Sequence, residues 1–206
     1  MATANDLINR CRDLIQDVEG QRWTDTELLR WLNDAQLEVV RIAPHANSAL
    51  LTQPLSVGTS QPIPGTAIAL IRFVGNGSTT NLGKVPMTVD VNQMDRADPN
   101  WRTATPTTVV EHVMTDPKHN IFHVYPPNNG AGSMVLECGV YPTVVMTTSG
   151  TISVEEEFST SLVNYMAYRA LQKDSDDVTQ QKAMNLYLKL FYESLGASVP
   201  ATLGGG

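Results

Sequence analysis

Apolar residues near the N-terminus recur every three or four positions in two successive segments, which is the spacing of one face of an α-helix. The first segment runs from about Thr3 to Val18. The second begins at a capping box, because the side chains of Thr24 and Glu27 can each accept a hydrogen bond from the other residue's backbone amide. Pro44 marks its end, since the residue before a proline is disfavoured in the α conformation. The apolar stripe of this second helix comprises Leu28, Leu32, Ala35, Val39 and Ile42.

The pattern changes after the second helix. From about Leu50 to Thr151, apolar residues alternate with polar ones or form short runs between turn residues, which predicts short β-strands. A hairpin connection is predicted at residues 115–120, and the strand lengths favour a small antiparallel sandwich or a curled sheet. The predicted strands are Leu50–Leu55, Ala67–Val74, Lys84–Val89, Thr107–Met114, Ile121–Tyr125 and Met134–Tyr141, with a further candidate at Val144–Thr147.

Helical spacing returns at about Val154 and again from about Asp177 to Leu195. Each helix pair leaves an apolar face to be buried, so we predict an α+β fold in which all four helices form one bundle. The predicted domains are a four-helix bundle made by residues 1–44 and 152–196, an inserted antiparallel β domain at residues 45–151, and a flexible C-terminal tail at residues 197–206.

Composition excludes some classes of function. The 206 residues carry a net charge of −7, which is not the balance of a general nucleic-acid or anionic-membrane binder. No run of about 18 apolar residues predicts a membrane span, and the N-terminal sequence lacks the apolar core of a signal peptide. Charged residues make up 17%, which suits a subunit with large interfaces as well as a monomer.

Few residues are candidates for a chemical site. His112, His119 and His123 lie across a predicted turn and strand, and no cysteine or acidic cluster completes a metal set with them. The segment Asp174–Asp177 begins like a calcium loop but lacks its glycine and closing glutamate. No serine lies in a GxSxG setting and no glycine-rich phosphate loop occurs. We therefore predict a protein that is not an enzyme, with no catalytic, cofactor-binding or metal-binding residues.

One aromatic side chain of the second predicted helix, Trp31, lies off the centre of the apolar stripe. Aromatic residues dominate both cores and interfaces, so two interpretations stay open. Trp31 is either a rim residue that packs against the neighbouring helix or a candidate intersubunit anchor.

The order of these segments resembles one known family. The opening, ATANDLINRCRDLIQD followed by RWTDTELLRWLNDAQLEVVR, is similar to the start of the head-to-tail adaptor (connector) proteins of tailed bacteriophages, particularly short-tailed ones. The segments Asp98–Trp101 and Asp116–Pro127 resemble the family's strand-turn-strand that ends in a tyrosine and paired prolines. The closing helices, with Tyr165, Arg169 and the DSDD turn, also fit, so the resemblance covers nearly the full length.

The resemblance implies a structural virion protein at the head–tail interface, made in the cytoplasm of the bacterial host. Such adaptors join a helical bundle to a β insertion, and form a twelve-fold ring that binds the portal protein on one side and the tail nozzle or hub on the other. The ring leaves a channel through which DNA passes, and acidic side chains there would repel phosphate without binding DNA specifically.

The resemblance also implies a role for the C-terminal tail, because a C-terminal extension docks onto the portal in related adaptors. The alternative is that this glycine-rich end is a frayed terminus. The candidate portal-binding residues are Ser198, Val199, Pro200, Ala201, Thr202, Leu203, Gly204, Gly205 and Gly206.

Two other functions are compatible with the sequence. A tail-completion or tail-terminator protein would be mostly a β-barrel with one or two helices. A hydrolytic enzyme with a helical lid would need a pocket in which titratable groups converge.

Overall fold

A computed structural model of the chain describes residues 2–116, 120–173 and 178–200. The chain divides into two units, a helical unit formed by Met1–Asn47 with Tyr141–Gly206, and a β unit formed by Ser48–Val140. The described residues form five α-helices, which are α1 (Ala4–Ile15), α2 (Asp25–Ile42), α3 (Val91–Ala97), α4 (Ser159–Lys173) and α5 (Val178–Ser194). They form eight strands, which are β1 (Ser48–Pro54), β2 (Gly58–Pro62), β3 (Ala67–Ser78), β4 (Asn81–Leu82), β5 (Met87–Thr88), β6 (His112–Asp116), β7 (Ile121–Asn128) and β8 (Ser133–Val140).

Local hydrogen bonds fix where the first two helices begin. The predicted capping box of α2 is confirmed: Glu27 N donates to Thr24 Oγ1 at 3.3 Å, and Thr24 N donates to Glu27 Oε2 at 3.1 Å. The same device opens α1 at Thr3 and Asp6. Each box satisfies two backbone amides that a helix start otherwise leaves without partners. The start of each of these two helices is therefore set by two residues that lie three positions apart in the sequence.

The core of the helical unit is organised around α4. This helix packs against α1, α2 and α5. Ring contacts connect it to α5, where the centroids of Tyr165 and Phe191 are 5.1 Å apart. Its buried residues are Ser159, Ser161, Leu162, Val163, Asn164, Met166, Ala167, Tyr168 and Ala170.

The α+β class is confirmed, but the prediction of a four-helix bundle is wrong. The described residues include a fifth helix, α3, and two separate four-stranded sheets. A bundle requires each helix to bury one stripe towards a common axis. Instead, α4 is buried on more than one side and lies among α1, α2 and α5 as a central helix. Small buried residues such as Ser161, Ala167 and Ala170 permit this close packing.

The chain re-enters the helical unit as an extended segment, residues 141–150, which we call the strap. The side chain of Asn33 on α2 holds its middle: Asn33 Nδ2 donates to Val145 O at 2.9 Å, and Asn33 Oδ1 accepts from Val145 N at 2.8 Å. Its end lies at the start of α1, where Ala4 N donates to Gly150 O at 2.8 Å. The sequence pattern had favoured a strand at Val144–Thr147, but this stretch pairs with a helix side chain and not with a sheet.

The β unit is built from two sheets, with strand orders β1-β8-β3-β4 and β2-β7-β6-β5. Their strands are antiparallel except for β5 and β6, which pair in parallel. The rings of Phe73 on β3 and Phe122 on β7 meet edge to face at 5.3 Å and lie in the shared apolar core. The short polar strand Gly58–Pro62 was absent from the predicted strands because Gly-Thr-Ser-Gln-Pro carries no apolar alternation.

Loops of the β unit are joined to strands by buried amide side chains. Asn76 Nδ2 donates to Val110 O and to Lys84 O, both at 2.8 Å, and Asn76 Oδ1 accepts from Val110 N at 2.7 Å. The adjacent Gly77 has a φ of 102°, and a Cβ there would collide with the backbone oxygen of Asn81. Glycine is therefore required at this turn.

We predict that Asn33→Ala lowers the free energy of unfolding by about 1–3 kcal/mol, because the partly buried N–H and C=O groups of Val145 would lose their partners. Urea denaturation followed by circular dichroism measures this change.

The matched control for this prediction is Asn185→Ala on the exposed face of α5. It changes helix propensity in the same way, and we expect it to shift the free energy of unfolding by less than about 0.5 kcal/mol. Equal losses in the two variants would show that the contact with Val145 contributes no stability.

Candidate functional site

The candidate intersubunit residue, Trp31, lies in the middle of α2 and is 9% exposed. Its neighbours Leu28, Leu32 and Ala35 are fully buried, so the tryptophan ring lies at the margin of the helical core. This burial within a single chain favours the rim interpretation. Contact of Trp31 with a second subunit stays a prediction.

The candidate portal-binding tail follows the end of α5. Gly196, with a φ of 67°, takes the left-handed conformation that commonly ends a helix. Beyond it Ser198 and Pro200 are exposed, while Val199 is partly buried. Residues Ala201–Gly206 lie outside the described residues, so portal binding by the tail stays a prediction.

Two of the three histidines considered above as metal ligands, His112 and His123, lie on one face of the second sheet. His112 on β6 stacks on Tyr125 of β7, with ring centroids 5.7 Å apart, and His123 on β7 meets the edge of Trp101 at 6.1 Å. Their Nδ1 atoms are buried and make no hydrogen bond within the described residues. His119 lies outside the described residues, together with the rest of residues 117–119 and the segment Asp174–Asp177.

The environment of His123 disfavours its protonated form. Burial lowers the pKa of this imidazole, and the nearby positive charge of Arg102 lowers it further, while Asp116 and Asp95 act in the opposite direction. In the described parts of the chain, no three histidine, cysteine or acidic side chains are grouped so that they could hold a metal ion. His123 thus packs against Trp101, and His112 packs against Tyr125.

The β unit also contains a shallow recess of about 330 Å³. It is lined mainly by loop backbone and small side chains, with Lys84 as its titratable side chain. This lining offers hydrogen-bonding groups, but it does not bring a general acid and a general base together. The full lining is Asn76, Gly77, Asn81, Gly83, Lys84, Thr108, Val109, Ala131, Gly132 and Ser133.

The most extensive buried polar cluster lies between α1 and α2, and the sequence interpretation missed it. Arg12, on α1, is buried and forms ion pairs with Asp17 at 2.9 Å and with Asp25 at 2.6 Å. Its guanidinium also donates to Trp23 O at 3.0 Å. One sequence feature could have indicated this cluster: an arginine lies beside the apolar stripe of a helix, and two aspartates lie around the turn that follows.

Asp17 is the acceptor at the centre of this cluster. Its carboxylate accepts hydrogen bonds from the backbone amides of Gln21, Arg22 and Trp23 at 2.8–3.0 Å. Burial raises the pKa of Asp17, but these amides and the Arg12 charge outweigh it, so the pKa lies below its usual value. The cluster therefore fixes the turn between the first two helices, and Arg12 supplies no free charge for catalysis.

Large apolar side chains are exposed on the strap of the helical unit. Val145 is almost completely buried, whereas its neighbours Val144 and Met146 are exposed, Met146 to 80%. Tyr141 is also exposed. Exposed apolar side chains that are this close together are more typical of an interaction surface than of a solvated loop.

A second exposed apolar group lies on α5. Leu186 and Leu190 are one helical turn apart and are exposed, whereas Leu188 and Phe191 are buried against the core. Lys189 lies on the same outer face. Both apolar groups, on the strap and on α5, are thus exposed on the helical unit.

Comparison with known proteins gives one positive finding. A family model described as SU10 adaptor protein matches residues 2–203 of the chain. No curated protein matches the chain. Among the described residues, no helix is long and apolar enough to cross a membrane.

We predict that stability falls as the pH is lowered from 7 to 5, and that His123→Gln weakens this dependence. The folded state holds the pKa of His123 below the unfolded value of about 6.5, so the unfolded chain takes up the proton first. Uptake of one such proton changes the free energy of unfolding by at most about 1.4 kcal/mol per pH unit. Urea unfolding at pH 5, 6 and 7 measures the slope.

The control for this pH prediction is His45→Gln, because His45 is exposed. The carboxylates with lowered pKa values, such as Asp17 and Asp95, titrate below this pH window. An unchanged slope in the His123→Gln variant would contradict the prediction.

Proposed function

The chain belongs to the SU10 adaptor protein family, a family of phage head-to-tail adaptors, and from this premise we propose that it forms a ring between the portal and the tail nozzle. Membership of the family supports a structural role in the virion and implies association with other phage head or tail proteins. The proposal adds the ring, its two partners and the channel for DNA. The observation that carries it is a family match that spans both units of the chain.

The action proposed for the protein is mechanical. A closed ring is a heterologous assembly, in which each subunit uses two different surfaces to contact its two neighbours. The fold supports this proposal because its helices are tied together by α4 and by the Asn33 contact with the strap, and so offer defined surfaces. The number of subunits, twelve by resemblance, is part of the proposal.

The β unit offers surfaces for the nozzle or for neighbouring subunits. Val57, Val85, Met87 and Val109 are exposed there, and Val57 lies in the turn between β1 and β2. A pocket for a small substrate would instead be concave and would gather a few polar groups. We propose that the β unit contributes contacts within the ring or with the nozzle.

The acidic balance of the chain supports the proposed passage of DNA. A net charge of −7 per subunit, multiplied around a ring, makes a field that repels the phosphate backbone. We propose that DNA crosses the channel without specific binding. A tail-completion or terminator protein built mainly as a β-barrel fits less well, because four helices pack in the helical unit.

We predict that the purified chain adds a ring to the portal of the same phage, because adaptor subunits need the portal surface to arrange them. Electron microscopy of the mixture should show an extra ring of density on one side of the portal. The portal of an unrelated phage, tested in parallel, should remain bare. If no ring forms and none is present in the virion, the proposed function is wrong.

We predict that deletion of residues 198–206 weakens portal binding at least ten-fold, about 1.4 kcal/mol. In this proposal the tail adds contacts with the portal beyond those that the helices make, and it becomes ordered on binding. The deletion begins beyond α5, at an exposed residue, so it leaves the unfolding midpoint unchanged. Binding is measured with immobilised portal.

Replacement of the same nine residues by a Gly-Ser segment of equal length is the matched control for tail length. It should bind as weakly as the deletion variant if the native side chains make the contacts. Wild-type affinity in the deletion variant would show that the tail is a frayed terminus, and the ring proposal would still stand.

A further inference from the structure

Besides Leu14 and Val18 near the end of α1, the helical unit presents two exposed apolar surfaces that its own core does not cover. The first is the strap, which exposes Tyr141, Val144 and Met146. The second is the outer face of α5, which exposes Leu186 and Leu190. An isolated exposed leucine needs no explanation, but two clusters on one folded unit indicate interfaces.

The side chains of the strap are held in place before any partner arrives. Val145 is bound through both of its backbone groups by Asn33, and Thr143 N donates to Ser153 Oγ at 3.1 Å. Successive side chains of an extended segment point to opposite sides. With Val145 turned inward, Val144 and Met146 point outward. A surface ordered in this way loses little conformational entropy on binding.

The two surfaces lie on different sides of the helical unit. Asn33 marks the side of α2 that carries the strap. Asp34, the next residue of α2, forms an ion pair with Arg169 of α4 at 3.3 Å, and α5 packs against α4. Successive residues of a helix are about 100° apart around its axis, so the strap and α4, which carries α5, meet α2 on different sides. Two such surfaces cannot be covered together by one small partner, but two neighbours in a ring can cover them.

The charges beside the two surfaces are opposite in sign. The chain that follows the strap carries the exposed carboxylates of Glu155 and Glu157, two and four residues beyond Ser153, which is bonded to Thr143. Around Leu186 and Leu190 the outer face of α5 carries Lys182 and Lys189 and one carboxylate, Glu193, which lies 3.6 Å from the Lys189 ammonium and leaves the face with a net positive charge. Apolar centres with complementary charged margins are typical of specific protein interfaces.

We propose that the strap of one subunit packs against the outer face of α5 of the next copy of this chain. Met146 and Val144 contact Leu186 and Leu190, and the lysines of α5 face the glutamates that follow the strap. The contact is heterologous, and its repetition produces the closed ring of the proposed function, on which this inference rests. It assigns the ring interface to residues of the helical unit.

Cross-linking on the portal tests this contact. Met146→Cys and Leu190→Cys chains are mixed in equal amounts, assembled with the portal and treated with a short bismaleimide. The native thiols are poor competitors, because burial raises the pKa of Cys11 to about 12 and that of Cys138 to about 11. Both substituted residues are exposed, and matching unfolding midpoints confirm that the variants fold.

We expect covalent dimers in the mixture and monomers from either variant alone, since a heterologous contact places position 146 against position 190. A chain that carries both substitutions should give a ladder of oligomers. The matched control pairs Leu190→Cys with Glu19→Cys, an exposed site of the helical unit that lies at the opposite end of α1 from the strap, and should stay monomeric. Reversing both α5 charges, with K182E and K189E, should lower the cross-linked fraction several-fold.

Other outcomes separate this inference from the proposed function. Rings without mixed dimers, or dimers from the Met146→Cys chain alone, overturn the assigned interface and leave the adaptor role intact. Unchanged cross-linking after reversal of the α5 charges also overturns the proposed pairing of surfaces. Absence of wild-type rings on the portal refutes the proposed function, and the interface with it.

Discussion

The helical unit depends on joining two distant parts of one chain, because α1 and α2 precede the β unit while α4 and α5 follow it. One amide side chain makes a central part of this joint. Asn33 supplies a donor and an acceptor to both backbone groups of Val145, as a neighbouring strand would. Gln36, on the same side of α2, accepts from Ser153 N at 3.1 Å and continues the connection. With the returning chain held in this way, α4 can enter the core against α1 and α2.

The same pairing of backbone groups by an amide side chain also leaves side chains of the strap exposed to solvent. Backbone groups that are paired by a helix side chain need no neighbouring strand, so the strap can lie on a helix and still present side chains to solvent. In the β unit, Asn76 and Asn128 satisfy loop backbone in the same manner, and Asn128 Nδ2 donates to Thr108 O at 3.1 Å. Buried amides thus order segments without regular structure. In the proposed ring, such ordered segments would keep contact residues in fixed positions, which lowers the entropic cost of association.

Charged groups inside the helical unit serve the fold. Arg12 and Asp17 are both buried, and each satisfies its hydrogen-bonding groups through the other and through the turn between α1 and α2. A buried charge without such partners would cost several kcal/mol, so the pair defines the turn that it occupies. Cross-helix ion pairs join α2 to α4 at Glu27 with Lys173, and at Asp34 with Arg169. These ion pairs connect neighbouring helices, which is in keeping with a structural role.

The sequence by itself determined the structural features that depend on residues close together along the chain. The capping box of Thr24 and Glu27, the stripes of α1 and α2 and the alternating strands were predictable because their partners lie within a few residues, and their order led to the family. The four-helix bundle was wrong because periodicity shows that a helix has an apolar face, but not how many neighbours it meets, as α4 demonstrates. The partner of Asn33 and the exposure of Met146 were decided by the tertiary structure alone. Each depends on groups far apart in sequence, or on what the folded chain leaves uncovered, and no local pattern records either.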